Sequence, residues 1–172
     1  MKSKIMPTAI LGSICLIAAL LLSVINLITA PEIARRQEAE ANAALIEVLP
    51  DGQGFEKLDV ASLSLDPKIT SAWAANTSGG YVFRLVVTGY KPGLTIMCGI
   101  DANGKIAGVK HVETNETYGL EEELDGVYIG KSDGDISKVI ATGATPNSAT
   151  SNAYYTAMTT ALDAYEILKG GN

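Results

Sequence analysis

The chain has 172 residues and a formal net charge of −6 at pH 7, from 13 basic and 19 acidic side chains. This length is enough for one domain and an additional segment, and the acidic balance argues against a nucleic-acid partner. The two cysteines, Cys15 and Cys98, lie in separate apolar runs, so the sequence predicts no disulfide framework and makes Cys98 a small core residue.

An uncharged segment occupies residues 5–30. As a helix rising about 1.5 Å per residue it would extend roughly 39 Å, which exceeds the ~30 Å hydrocarbon core of a bilayer. Pro31 makes a poor cleavage setting, so we predict an uncleaved transmembrane anchor over residues 1–30. Lys2 and Lys4 precede it and favour a cytoplasmic amino end, in the cell membrane, with the rest of the chain on the extracytoplasmic side.

A juxtamembrane helix is predicted over residues 31–50. Pro31 suits a first helical turn, apolar residues recur at helical spacing as far as Val48, and Pro50 ends the pattern. The apolar stripe is weak in bulk, so a solvated stalk and a partner-binding helix both remain open. The extracytoplasmic domain is then expected over residues 51–172.

The first half of this domain has the pattern of a small antiparallel meander. Residues 53–68 are expected to be irregular, with a short strand-like piece at residues 61–65. β-Branched and aromatic residues then predict four strands, at residues 69–75, 81–88, 94–100 and 105–113. Asn103 and Gly104 are expected to supply the positive φ angles of the hairpin loop between the last two strands.

The second half is predicted to end in a helix. Five residues share one face at helical spacing, namely Tyr154, Met158, Ala161, Tyr165 and Leu168. This stripe predicts a C-terminal helix running from Ser148 towards Leu168. The three glutamates at residues 121–123 are expected to be the solvated start of another helix. The fold class is therefore α+β, with an amino-terminal transmembrane helix and a stalk helix before an antiparallel-sheet domain and its C-terminal helix.

Several chemistries can be set aside from the sequence. It contains no paired-cysteine metal spacing, no His-Glu-x-x-His and no phosphate-binding loop that ends in Gly-Lys-Ser or Gly-Lys-Thr. The single histidine, His111, falls on a predicted strand, where a structural role is expected. We therefore predict neither a metal site nor a catalytic triad.

The most informative stretch is Thr142-Gly143-Ala144-Thr145, just ahead of the predicted C-terminal helix. It combines two hydroxyl side chains with a glycine that lets a ligand approach the backbone. A helix amino end presents N–H groups without intrahelical partners and the positive end of the helix dipole, which suits a phosphate. Alternatively, the two threonines only cap and turn the backbone.

A second motif precedes it, Glu116-Thr117-Tyr118-Gly119-Leu120. Together with the anchor, the glycine-punctuated strands and Thr-Gly-Ala-Thr, it resembles the FMN-binding domain family. That family includes the G subunit of Rnf complexes and the C subunit of the sodium-translocating NADH:quinone reductase. The family pattern here is Glu-Thr-Pro-Gly-Leu-Gly, so this chain departs from it at Tyr118 and at Glu121.

The resemblance implies that FMN is bound covalently, through a phosphoester to Thr145. It further implies that the cofactor is contacted by residues from both motifs: Thr142, Gly143, Ala144, Ser148, Glu116, Thr117, Gly119 and Leu120. Thr150 is a competing acceptor within Ser148-Ala149-Thr150-Ser151. Thr145 is favoured because it alone follows Gly-Ala at the mouth of the predicted helix, whereas Thr150 would already lie in the first helical turn.

The functional expectation follows from the same resemblance. The chain would be an electron-carrying subunit of an ion-translocating ferredoxin:NAD+ oxidoreductase, not catalytic alone, with the other complex subunits and the membrane as partners. A separate flavin transferase would attach the FMN. The alternatives are a free-standing flavinylated electron-transfer protein, a C subunit of the quinone reductase, and a non-redox anchored binding module.

Overall fold

The computed structural model describes residues 15–16, 42–116, 119–146 and 148–170. The predicted anchor, apart from Cys15 and Leu16, and the predicted juxtamembrane helix as far as residue 41 lie outside the described residues. Within the described ranges, no helix is both long enough and apolar enough to cross a membrane. The larger of two compact units runs from Asn42 to Asn172 and contains the sheet and the helices of the domain.

Five strands form one antiparallel sheet in the order β1-β2-β3-β4-β5, so each strand pairs with its neighbours in sequence. The strands are β1 (Phe55–Leu58), β2 (Ile69–Ala75), β3 (Tyr81–Thr88), β4 (Pro92–Ile100) and β5 (Ile106–Glu113). The helices are α1 (residues 42–48), α2 (Glu121–Val127) and α3 (Ala149–Gly170), with 3-10 turns at Val60–Ser62 and Asp133–Asp135. The predicted α+β class is confirmed for this part of the chain.

The long helix α3 packs against β3 and β4. Tyr154, Met158, Ala161 and Tyr165 are each at most 1% exposed, which confirms the predicted stripe. The Tyr165 hydroxyl also donates a hydrogen bond to the Ala102 carbonyl oxygen, at 2.8 Å. Burial of a large apolar side chain is worth roughly 1.5–3 kcal/mol. This face therefore holds α3 against the sheet and determines where its amino end lies.

A second, smaller hydrophobic cluster includes strand residues on the opposite side of the sheet from those that pack with α3. Leu45, Val48 and Leu49 are each 1% exposed and pack with Val82 and Met97. Their close approach depends on two glycines that face each other in the β4–β5 register, Gly99 and Gly108. A Cβ at Gly99 would lie 2.2 Å from the Val48 carbonyl oxygen, and one at Gly108 would lie 2.6 Å from it. The described end of the predicted juxtamembrane helix thus packs on the sheet.

The structure corrects the prediction for residues 53–68. The first strand, β1, lies in this supposedly irregular stretch, and residues 60–62 form a 3-10 turn instead of the predicted strand. β1 has no alternating apolar pattern, since its residues are Phe-Glu-Lys-Leu, and its place in the sheet comes from pairing with β2. The 3-10 turn begins at Asp59, whose side chain accepts a hydrogen bond from the Ala61 amide.

The hairpin loop after β4 also differs in detail from its prediction. Gly104 has a φ of 76°, but Asn103 has no positive φ. The loop is instead closed by Asp101, whose carboxylate accepts hydrogen bonds from the backbone amides of Asn103 and Lys105 at 2.8 and 2.9 Å. A short acidic side chain at the start of a turn commonly binds the backbone in this way.

Cys98 and His111 were both predicted from the sequence to be structural residues. Cys98 is fully buried, and burial raises the pKa of its thiol to about 12, so it is a core residue as predicted. His111 lies on β5 with its Nδ1 2.7 Å from a carboxylate oxygen of Asp125. Asp125 also accepts a hydrogen bond from the Tyr154 hydroxyl, at 2.8 Å, which links β5, α2 and α3.

Candidate functional site

A cleft of about 600 Å³ opens at the amino end of α3. Its walls come from the β3–β4 turn, the residue before α2, the segment before α3 and the first turn of α3. The lining residues are Tyr90, Leu120, Thr142, Gly143, Ala144, Thr145, Ser148, Ala149 and Thr150. Six of the nine predicted cofactor-contacting residues are therefore brought together in one cleft.

The segment of residues 142–146, here called the acceptor turn, has a tight backbone. The Ala144 amide donates a hydrogen bond to the Ala141 carbonyl oxygen at 3.0 Å, and Gly143 has a φ of 80°. A positive φ at the third position of such a turn favours glycine. Thr145 comes directly after this hydrogen-bonded part of the acceptor turn, and its exposed side chain lines the cleft. The predicted acceptor hydroxyl is therefore open to a reaction partner.

The amino end of α3 forms the floor beside the acceptor turn. The Ser148 hydroxyl accepts a hydrogen bond from the Ser151 amide at 3.3 Å, and α3 continues for 22 residues from Ala149. Ser148 is therefore the N-cap of the predicted C-terminal helix. The N–H groups of a first helical turn have no intrahelical acceptor, and Ala149 and Thr150 line the cleft. An anion in the cleft would meet the positive end of this helix.

Thr150, the competing acceptor, is in a different environment from Thr145. It is only 5% exposed, and its hydroxyl donates a short hydrogen bond to a carboxylate oxygen of Glu116. That hydroxyl is thus both shielded from solvent and already paired. Of the two candidate threonines, Thr145 alone presents an exposed side chain.

Glu116 supports the cleft wall and is not among the residues that line the cleft. Besides Thr150, its carboxylate accepts hydrogen bonds from the backbone amides of Tyr90 and Lys91, both at 3.0 Å. Partial burial acts to raise the pKa of Glu116, but these three hydrogen bonds and the charge of Lys91 together lower it below its ordinary value. A Cβ at Gly89 would lie 2.6 Å from the Glu116 carboxylate, so this approach needs a glycine there.

The motif before α2 contributes less of the cleft wall than predicted. Gly119 does not line the cleft; it has a φ of 59° and nothing within 4 Å of where a Cβ would be. Its glycine character therefore serves the backbone conformation of the segment before α2. Thr117, and the departure at Tyr118, lie outside the described residues. Leu120 lines the cleft and packs partly on the core.

The glutamates at the start of α2 correct another expectation. Residues 121–123 do begin a helix, but Glu121 is only 3% exposed and accepts a short hydrogen bond from the Thr114 hydroxyl. Glu123 is exposed yet bound to the acceptor turn through Thr142. Glu122 and Glu123 are thus exposed as the sequence predicted, and Glu121 is the residue that differs. Glu121 and Glu123 each accept a hydrogen bond from a loop beside the cleft.

Two site residues were not anticipated from the sequence, Tyr90 and Glu123. Tyr90 is 66% exposed and lines the cleft, so it offers an aromatic face to a ligand. The sequence signal that could have identified Tyr90 is its place as an aromatic residue within a predicted turn, Gly-Tyr-Lys-Pro-Gly. For Glu123 no such signal exists, because its partner Thr142 is 19 positions away.

A protein family model matches the part of the chain that contains the cleft. The model described as FMN-binding domain matches residues 89–163, a little under half of the chain. The match begins at the β3–β4 turn and runs into the second half of α3. It therefore contains every residue that lines the cleft.

Curated relatives point the same way at low identity. The G subunit of the ion-translocating oxidoreductase complex of Shewanella loihica is 28% identical over 138 residues, which are 73% of this chain and 65% of that protein. The G subunit of the Na(+)-translocating ferredoxin:NAD(+) oxidoreductase complex of Acetobacterium woodii is 28% identical over 142 residues, 75% of this chain and 69% of that protein. A corresponding G subunit of Cereibacter sphaeroides is 29% identical over 139 residues, with 77% and 62% covered.

These matches confirm the resemblance drawn from the two motifs. Residues 89–163 match the FMN-binding domain model, and the chain is distantly homologous to the G subunits of ion-translocating oxidoreductase complexes. The aligned part spans somewhat less than two thirds of the Shewanella and Cereibacter proteins and slightly more of the Acetobacterium protein.

Proposed function

We propose that this chain, with its FMN-binding domain over residues 89–163, is a membrane-anchored flavoprotein subunit that carries FMN covalently on Thr145. Its role would be that of an electron carrier in an ion-translocating ferredoxin:NAD+ oxidoreductase complex. The observation that supports the attachment point is the contrast between an exposed Thr145 in the cleft and a buried, hydrogen-bonded Thr150.

The residues present fit FMN. The cleft of about 600 Å³ lies within the range of roughly 300–1,000 Å³ that is usual for cofactor sites. Tyr90 and Leu120 would contact the isoalloxazine ring, and the first turn of α3 would face the phosphate. Lys138 adds a cation beside the acceptor turn, where its ammonium donates a hydrogen bond to the Pro146 carbonyl oxygen at 2.7 Å.

Attachment would need a flavin donor and a separate enzyme. With FAD as donor, a bond would form between the Thr145 oxygen and the FMN phosphorus while the pyrophosphate P–O bond breaks. AMP would leave with the proton that the hydroxyl gives away, so atoms and charge would balance without a redox change. At the acceptor turn, Lys138 acts as a hydrogen-bond donor and not as a base. We assign the general base to a separate flavin transferase.

The cofactor supplies the electron-transfer chemistry when bound, and the protein supplies its position. A phosphoester link would leave the ring free to bind Tyr90 or to face a neighbouring subunit, because the bond is made at the phosphate end. The names of the relatives support partnership with the other subunits of an Rnf-type complex. We place the domain on the extracytoplasmic side, from the basic residues ahead of the uncharged segment.

The test is expression of the full chain in membranes together with an active flavin transferase. The wild type should keep flavin fluorescence after denaturation in detergent, with the added mass on the peptide that contains Thr145. Thr145→Ala should lose this signal completely, while the matched control Thr145→Ser should retain it because the hydroxyl remains. Protease added to intact cells should reach the flavin-bearing peptide.

Two results would count against the proposal. Denaturation-resistant flavin on Thr145→Ala would move the acceptor elsewhere. A wild type that stays flavin-free beside an active transferase would remove the redox function and leave an anchored binding module. Copurification with multi-span membrane subunits separates a complex subunit from a free-standing carrier.

A further inference from the structure

The acceptor turn is held from outside by one carboxylate. Glu123, on the first turn of α2, accepts hydrogen bonds from the Thr142 amide at 2.9 and 3.0 Å, one to each carboxylate oxygen. The Thr142 hydroxyl also donates to the same carboxylate, at 2.8 Å. Both donors of Thr142 are thus engaged by a single side chain. We call this arrangement the Glu123 clamp.

The clamp acts at the point where the acceptor turn would otherwise be loosely tied. On one side, Ala141 is 2% exposed and belongs to the core. On the other side, Lys138 holds the Pro146 carbonyl oxygen, and the Ser148 amide donates to the Thr145 carbonyl oxygen at 2.9 Å. Between these points, Thr142 and Gly143 are exposed. A Cβ built on Gly143 would have no atom of the described residues within 4 Å. Ala144, further along the turn, packs partly on the core. The Glu123 clamp adds a side-chain restraint at Thr142, which is exposed.

A direct role in phosphate binding does not suit Glu123, because a carboxylate would repel an anion that approaches the turn. A carboxylate next to the proposed acceptor would disfavour the phosphate electrostatically, and another interaction of Glu123 must offset this cost. The bidentate contact to Thr142 is such a contribution, since charged acceptors make the stronger hydrogen bonds. The contacts of this carboxylate therefore suit a role in the conformation of the turn and not in binding an anion.

We propose that Glu123 is a positioning residue for flavin attachment: through Thr142 it holds the acceptor turn so that the Thr145 hydroxyl faces the cleft. This inference rests on the proposed function, and it names a residue outside the two sequence motifs. Glu123 itself does not touch the reacting atoms. Its effect comes from orienting the turn, and a loss of orientation by about 1 Å can slow a reaction roughly a hundredfold.

The experiment compares Glu123→Ala with a matched control on the same helix, Glu122→Ala. Glu122 is exposed and lies in a shallow groove beside His111, away from the turn. Initial rates of flavin attachment are measured on the full chain in membranes with the transferase in excess. Glu123→Ala should attach flavin roughly 10- to 100-fold more slowly, and Glu122→Ala should match the wild type.

Two further variants separate positioning from general damage. Thr142→Val removes the hydroxyl donor and keeps the amide, so its rate should fall less than that of Glu123→Ala. Glu123→Gln keeps an oxygen acceptor and loses the charge, so its rate should lie between those of Glu123→Ala and the wild type. Amide hydrogen exchange of unflavinylated protein gives a readout that needs no flavin. Thr142 should exchange faster in Glu123→Ala, while α3 amides such as that of Ala157 keep their protection.

The outcomes are distinguishable from those of the proposed function. If the wild type never carries flavin but Thr142 exchange still depends on Glu123, the clamp stands and the redox proposal fails. If Glu123→Ala is flavinylated at the wild-type rate, Glu123 does not position the acceptor. If α3 loses protection together with Thr142, Glu123 is a residue of overall stability, and the positioning role is likewise overturned.

Discussion

Two threonines five positions apart line the same cleft and differ in solvent exposure and in hydrogen bonding. Thr145, in the acceptor turn, is exposed. Thr150, in the first turn of α3, is 5% exposed and bound through its hydroxyl to Glu116. The same side chain is therefore accessible in one place and is a structural hydrogen-bond donor in the other.

The difference shows that the surroundings of a hydroxyl decide its use. Glu116 engages the Thr150 hydroxyl and, through the Tyr90 and Lys91 amides, ties the β3–β4 turn to the start of α3. Glu123 engages Thr142 in the acceptor turn. The two carboxylates thus engage two of the three threonines that line the cleft, while Thr145 is exposed.

The difference between the two threonines is tested most directly by replacing each with valine, which has nearly the same shape but no hydroxyl. Thr150→Val takes a donor from a charged acceptor and should lower the free energy of unfolding by about 1–3 kcal/mol. Thr145→Val, at an exposed site, should change it by no more than about 0.5 kcal/mol. Flavin attachment should show the reverse pattern, complete loss in Thr145→Val and retention in Thr150→Val. Urea denaturation and denaturing-gel fluorescence measure the two effects.

A result in which both valine variants are equally stable would remove the structural role given to Thr150. Flavin retained on Thr145→Val and absent from folded Thr150→Val would exchange the two roles. Thr150→Ser, which keeps the hydroxyl, is the matched control for the stability measurement.

A smaller effect should appear in the pH dependence of stability. The pKa of Glu116 is lower in the folded chain than its ordinary value of 4.5. A carboxyl whose pKa is depressed by folding contributes stability above the unfolded-state pKa, and that contribution is lost as the pH falls through the folded-state pKa. The stability gap between wild type and Glu116→Gln should therefore be largest near neutral pH and should shrink as the pH drops below about 4.5.

Thermal or urea unfolding between about pH 7 and pH 3 checks this prediction. Glu122→Gln, at an exposed glutamate of α2, is the reference for a solvent-exposed carboxyl. A gap that stays constant with pH would show that the charge of Glu116 is not what ties the β3–β4 turn to α3.

The smallest effect on stability is expected at Tyr90. Its side chain is 66% exposed, and its contact with Glu116 is made by the backbone amide, which any residue but proline retains. Tyr90→Ala should thus alter the free energy of unfolding by about 0.5 kcal/mol or less. If the ring contacts the flavin, the flavin absorption and fluorescence spectra should shift in Tyr90→Ala and much less in Tyr90→Phe. Unchanged spectra in a fully flavinylated Tyr90→Ala would remove Tyr90 from the site.

Local patterns account for the elements that could be predicted well. The four predicted strands are β2 to β5 within one or two residues, since runs of β-branched and aromatic side chains alternate with turn residues there. The α3 stripe repeats every three or four residues, so its buried face is visible without a partner. β1 was missed because Phe-Glu-Lys-Leu has no such alternation and is a strand only by pairing with β2.

The meander, the C-terminal helix and the Thr-Gly-Ala-Thr motif could be recognised from the sequence, because each depends on residues close together in the chain. Which hydroxyls are engaged depends on the tertiary fold, because Glu116 and Glu123 meet their threonines across 34 and 19 positions. The packing of α1 on the glycine pair of β4 and β5 is likewise a tertiary outcome. Hydrogen-bond partners that no periodicity links are selected by how the elements pack, and the packing of α2 and α3 is what leaves the Thr145 side chain exposed in the cleft.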